Sequence, residues 1–171
     1  EVITGIANLI ESRDGSTGLH VKNTQNYVQI LTKALREKGM YPDILDHNYE
    51  LNTVKASVLH DIGKIKTPDA ILLKPGRLTD EEFEVMKQHT VAGCEIIDRI
   101  IGNVEHEEYV DIARKIARYH HERWDGTGYP DGLSGEEIPL CARIMALADV
   151  FDALYQDRCY KKAIRDRKSV V

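Results

Sequence analysis

Apolar residues recur at helical spacing through almost the whole of this chain. On the same faces sit histidines and aspartates that an apolar interior tolerates only when they are paired or bound to a metal. His20, Thr24, Tyr27, Val28, Leu31 and Leu35 share one face, with Gly39 where that helix should end. Val54, Val58 and Asp61 lie close to a second face, so VLHDIGK (58–64) reads as the end of a helix stopped by Gly63. Thr79 followed by Glu82 is a capping box, opening a helix whose stripe is Phe83, Met86, Gly93, Ile96, Ile97 and Ile100. Tyr109, Ile112, Ala113, Ile116 and Ala117 run up to His120 and His121, and positions 142–154 are apolar on most sides. KTPDAILLKPGRL and RWDGTGYPDGLSGEEIP carry the prolines and glycines of structured loops. No strand alternation or repeat interrupts the pattern, which predicts an all-α helical bundle.

Composition narrows the class further. A chain of 171 residues, 42% hydrophobic and 30% charged, suits one globular core rather than a disordered segment. The net charge of −5 argues against a DNA- or RNA-binding role. No apolar run is long enough to cross a bilayer, so no membrane contact is expected. Cys94, Cys141 and Cys159 are odd in number and widely spaced, which predicts reduced thiols in a cytoplasmic setting. With no initiator Met and no charged-then-apolar leader, the chain reads as one domain, 1–171, cut from a longer protein and ending abruptly after Val171.

His20, His60, His89, His120 and His121, with Asp61 and Asp149, fall on or beside inward faces of five predicted helices. Singly, each also reads as a hydrogen-bonded core residue, or for Asp149 as a cap or an Arg partner. Jointly, five core imidazoles and two acids would be costly to satisfy by hydrogen bonds alone. Facing helices that project His and carboxylate inward are a recurring way to build a dimetal site. Without a thiolate the set suits Fe, Mn, Co, Ni or Zn. His47 and His106 lie in polar surroundings and are expected at the surface.

His60-Asp61-Ile62-Gly63-Lys64, together with HHERWDGTGYPDGL (120–133), strongly resembles the HD-GYP subgroup of the HD phosphohydrolase superfamily. The likeness extends through ESRDGSTGLH (11–20), the segment 66–90, IPLCARIMALADVFDAL (138–154) and DRCYKK (157–162). It implies a bacterial phosphodiesterase that degrades cyclic di-GMP at a metal centre, with iron or manganese as the expected ions. By resemblance, His20, His60, Asp61 and Asp149 would ligate one metal, and Asp61 would bridge to a second held by His89, His120 and His121. Lys64 would contact the scissile phosphate, Tyr129 a guanine base, and Arg158 and Lys161 the ligand beyond the metals. Family members with a third metal carry a glutamate four residues before the first histidine. That position is Ser16 here, with Asp14 two residues earlier, so two metals are expected.

The expected catalytic pair is then Asp61 and Lys64, with Gly63 turning the chain so that Lys64 lies over the site. The loop 126–135 lacks GxxxxGK[ST] and is expected to hold Tyr129 beside the site rather than to cradle phosphate. Trp124 is expected to pack that loop down, and Arg123 to form an ion pair. Arg143 and Asp152 stay open between supporting the ligands and packing helices. The expected reaction takes cyclic di-GMP to linear pGpG, with cleavage to GMP slow or absent. The alternatives are an adaptor module that senses a nucleotide or docks a partner, and an HD hydrolase for another cyclic dinucleotide such as cGAMP. An N-terminal sensory or receiver domain is implied. The face Val2, Ile3, Ile6, Leu9 and Ile10 would serve either a homodimer or the core.

Overall fold

The computed structural model describes residues 2–14, 19–103 and 106–159. Seven α-helices follow in order among them: α1 (Val2–Glu11), α2 (Leu19–Glu37), α3 (His47–Ala56), α4 (Asp69–Leu72), α5 (Asp80–Ile101), α6 (Glu107–Tyr119) and α7 (Leu140–Cys159). Short 3-10 turns cover Ser12–Asp14, Ser57–Leu59, Ile62–Lys66 and Gly135–Glu137. Strand pairing among the described residues is limited to one bridge, Asp125 with Ser134. The all-α expectation holds.

The helix ends follow their local chemistry. Thr79 accepts from the Glu82 N–H while the Glu82 carboxylate accepts from the Thr79 N–H, so the capping box forms as predicted. Asp46 caps α3 by accepting from the Tyr49 N–H at 2.7 Å. Gly39 sits at φ +66° after α2, with Gly39 N–H on the Arg36 carbonyl and Met40 N–H on that of Leu35. That is a Schellman stop, and it needs the left-handed backbone glycine supplies.

α5 packs on α6 and on the 62–66 turn, α2 lies between α3 and α7, and α6 spans α3 and α7. At their meeting point Val21, Val28, Ile97, Ile112, Ile116 and Met145 are buried. Each such side chain contributes about 1.5–3 kcal/mol relative to exposure. Of the first helix, Ala7 and Ile10 join this core with Ile3 and Ile6 packed against it, and Leu9 remains exposed. Ile3, Ile6 and Ile10 of that face therefore serve the core. Ile100, placed on the α5 stripe, is 47% exposed, while its neighbour Ile101 is buried in the core.

The VLHDIGK segment differs from the sequence expectation. α3 ends at Ala56, and the chain continues as two 3-10 turns, 57–59 and 62–66, with His60 and Asp61 between them. Gly63 does not stop a helix. It lets the chain lie against α5, where an added Cβ would fall 1.8 Å from the His89 carbonyl oxygen and 2.5 Å from the Gly93 nitrogen. Gly63→Ala should therefore destabilise the fold by about 3 kcal/mol, the upper end for forced overpacking; urea unfolding within about 0.5 kcal/mol of wild type would refute that close contact.

Candidate metal centre

Five elements converge on one point. His20 stands in the first turn of α2, His60 and Asp61 on the turns after α3, and His89 in mid-α5; His120 caps α6, His121 follows, and Asp149 comes from α7. His60, His89 and His120 are almost completely buried, and Asp61 is 7% exposed.

Three of the imidazoles are oriented by main-chain carbonyls one turn upstream. Nδ1 of His60 meets Ser57 O at 2.9 Å, that of His89 meets Met86 O at 2.7 Å, and that of His120 meets Ile116 O at 2.9 Å. A carbonyl only accepts, so each Nδ1 carries a proton and each ring turns its Nε2 toward the centre. Those three Nε2 atoms and Asp61 Oδ1 are buried without a hydrogen-bond partner. Such a set is unfavourable in an interior unless a cation completes it. The residues fit a divalent metal.

Asp61 splits its two oxygens between two groups. Oδ1 lies 3.3 Å from His89 Nε2 and 3.7 Å from His120 Nε2, while Oδ2 lies 3.3 Å from His60 Nε2 and 2.7 Å from Lys64 Nζ. Burial opposes its ionisation, yet Lys64 and His60 hold the carboxyl well below the usual range. Two ligand sets result, Asp61, His89, His120 and His121 on one side and Glu11, His20, His60 and Asp61 on the other, each with donor atoms within 4.8 Å of one another. In the first set burial lowers the His89 imidazole to about 4 and, with His120 and His89 nearby, drives His121 well below its ordinary value. Both rings are neutral at pH 7.

The second set is more acidic. His20 Nδ1 meets Asp152 Oδ2 at 2.6 Å, and its Nε2 faces Asp149 Oδ1 at 3.4 Å and Glu11 Oε1 at 3.9 Å. Asp152 is fully buried and also accepts from Asn23 Nδ2 at 3.1 Å. Burial would lower the His20 imidazole, but Asp149, Glu11 and Asp152 raise it to about 10. Of the two roles left open for Asp152, supporting a site imidazole is the one the geometry shows. Arg143 instead stacks over Tyr41 and Trp124.

The loop after the His pair hangs on one buried carboxylate. Glu122, 5% exposed, accepts from the N–H groups of Asp131 (2.8 Å), Gly132 (3.1 Å) and Leu133 (3.0 Å). Arg118 adds a two-pronged pair with Asp131. Tyr129 is thereby laid on His121, ring centroids 4.8 Å apart, with Phe83 against its other flank and Lys87 above. Trp124 does not pack the loop down: it is 64% exposed, since the Glu122 anchor holds the loop from within. Arg123 pairs with Asp125 as expected, and His47 and His106 are at the surface.

The predicted metal-site residues stand close together, Asp149 through His20 rather than within either donor set, and His60 and Asp61 lie between two 3-10 turns rather than on a helix. Ser16 and Lys161 lie outside the described residues, as do the side chains of Asp14 and Arg158. Two site residues went unnoticed in the sequence. Glu122 sits beside the histidine pair and only its burial reveals its use. Glu11 ends an amphipathic helix where an acid reads as a solvated terminus.

The family model described as HD domain matches residues 7–171. A cyclic di-GMP phosphodiesterase of Vibrio cholerae is 47% identical over 98% of this chain, which covers 34% of that protein. A cyclic di-GMP phosphodiesterase response regulator of Xanthomonas campestris is 42% identical over 95% of the chain and 40% of its own length. A 3'3'-cGAMP-specific phosphodiesterase of V. cholerae is 38% identical over 98% of the chain and 30% of its own length. The chain belongs to the HD domain family, in its HD-GYP subgroup. It spans about a third of the length of these curated relatives. No helix among the described residues is long and apolar enough to cross a membrane.

Two outcomes follow from this geometry. Glu122→Gln puts an NH2 group where the carboxylate accepts, and should cost about 1–3 kcal/mol with faster amide exchange at 131–133; unchanged exchange there would remove Glu122 as the anchor. In the metal-free protein the His20 proton is stabilising below pH 6.5, and that stabilisation fades as pH rises through about 10. A cation at Nε2 must displace it, so Mn(II) affinity of that set should rise about tenfold per pH unit between roughly pH 7 and 9. A flat profile in a Mn(II) titration would contradict this.

Proposed function

We propose that this domain is a metal-dependent phosphodiesterase that hydrolyses cyclic di-GMP to linear pGpG, with further cleavage to GMP slow or absent. The observation that carries the reading is Asp61, one oxygen turned to His89 and His120 and the other to His60 and Lys64. Curated relatives named for this activity support the substrate class.

Two divalent ions, iron or manganese, when bound would supply Lewis acidity toward a phosphodiester and a water of lowered pKa. His89, His120 and His121 would hold one and His20, His60 and Asp149 the other, with Asp61 shared. The Nε2 atoms are aimed in advance, so little reorganisation is needed on loading. Lys64, its Nζ 2.7 Å from Asp61, would place positive charge beside the phosphoryl oxygens. Tyr129, fixed on His121, would offer an aromatic face to a guanine base at the rim of the site. Arg158 and Lys161 would extend basic contacts to the ligand. A signalling role in bacteria, with a sensory or receiver domain in the same protein, accords with the greater length of the relatives.

The similarity to a cGAMP-specific enzyme sets the competing substrate. Protein reconstituted anaerobically with Mn(II) or Fe(II) should convert cyclic di-GMP to persistent pGpG, followed by chromatography, at a higher kcat/KM than 3'3'-cGAMP. The reverse ranking would reassign the substrate, and GMP as the main early product would overturn the two-metal form. Asp61→Ala should lose metal and turnover together, by a factor of about 10³ or more in rate; retained turnover would sink the shared-ligand assignment.

A further inference from the structure

Glu11, the last residue of α1, is an acid near the centre to which the resemblance assigns no role. Glu11 is 3% exposed, and its Oε1 lies 3.9 Å from His20 Nε2. Its carboxylate stands with the donors of His20, His60 and Asp61 in a group whose atoms all lie within 4.8 Å of one another. His60, fully buried, aims an Nε2 without a hydrogen-bond partner at the same space. A solvated helix end has no use for that position. An acid taken so far from water is stabilised by a cation, and two imidazoles with two carboxylates form a set of borderline and hard donors suited to Mn(II) or Fe(II).

We propose that Glu11 is a ligand of the metal ion held by His20, His60 and Asp61, so that the first helix of the domain is part of the metal centre. The proposal rests on the dimetal reading above and adds to it a ligand from a different element.

A consequence follows for control of the enzyme. Arg13, two residues on, donates to the carbonyls of Ile65 at 3.2 Å and of Lys64 and Thr67 at 3.4 Å, and pairs with Asp69. The end of α1 and the turn after it therefore touch both a ligand set and the backbone that carries Lys64. α1 rests on the bundle through Ala7 and Ile10, with Ile3 and Ile6 over a shallow apolar crevice beside Leu59, Ile62 and Ile97. A force that shifts α1 withdraws Glu11 and loosens the Lys64 turn together. By linkage, ion binding stiffens α1 by the same coupling factor.

The test is a Mn(II) titration of wild type, Glu11→Gln and His121→Ala, followed by the signal of free hexaaqua Mn(II) in electron paramagnetic resonance. Glu11→Gln keeps shape and loses charge. It should weaken one class of bound ion by about 10-fold or more and leave the other intact, since even partners one shell further out cost 10–100-fold. His121→Ala should weaken the opposite class. Because Glu11→Gln can also fail to fold, hydrogen exchange of the wild type gives a second reading: Mn(II) should slow amides 9–13, and exchange there unaffected by Mn(II) overturns the proposal. Equal binding of both classes by Glu11→Gln and wild type overturns it as well, with the dimetal reading intact. No Mn(II) bound by wild type removes the dimetal reading itself.

Discussion

One carboxylate facing two ways organises this domain. Asp61 cannot be buried beside three imidazoles and an ammonium by chance of packing, because each neighbour would have to be desolvated for its sake. Its position is secured by backbone: 3-10 turns on either side, and a glycine that lets its chain lie against α5 at a distance no side chain permits. The helices bring the imidazoles, but the 57–66 segment sets how far apart the two ligand groups stand.

Helix polarity contributes in a quieter way. Three histidines bond through Nδ1 to carbonyls three or four residues earlier, the geometry a helical turn provides without help from any other side chain. The fold thus fixes the tautomer of each ring through its own main chain. His20 instead depends on a distant partner, Asp152 of α7, and the region around it is rich in carboxylates. The two halves of the centre are accordingly unlike: one deeply buried and rich in imidazole, the other acidic and reaching to α1.

Much of this was legible in the residues. Helical periodicity, the Thr79–Glu82 box and Gly39 marked elements that local chemistry alone decides, and they stand where expected. The seven proposed ligands could be named because imidazoles on apolar faces are conspicuous. Less legible was anything that depends on close approach. Gly63 looks like a helix stop until α5 is placed against it. Trp124 looks like a packing residue until Glu122 is seen to hold the loop. Glu11 is invisible as a ligand because the chain between it and His20 must fold back before the two meet, and no spacing rule encodes that return.

The Glu122 anchor has an implication for how such a domain changes over time. Its hydrogen bonds all end on peptide N–H groups, so the path of the loop is indifferent to most side chains along it. The same tripeptide, 120–122, carries two of the centre's imidazoles and the anchor. Side chains at the rim can therefore be exchanged while the buried histidine–carboxylate cluster keeps its register with the loop. Rim and buried cluster are joined by a hinge pin that reads no sequence, and they are free to diverge separately.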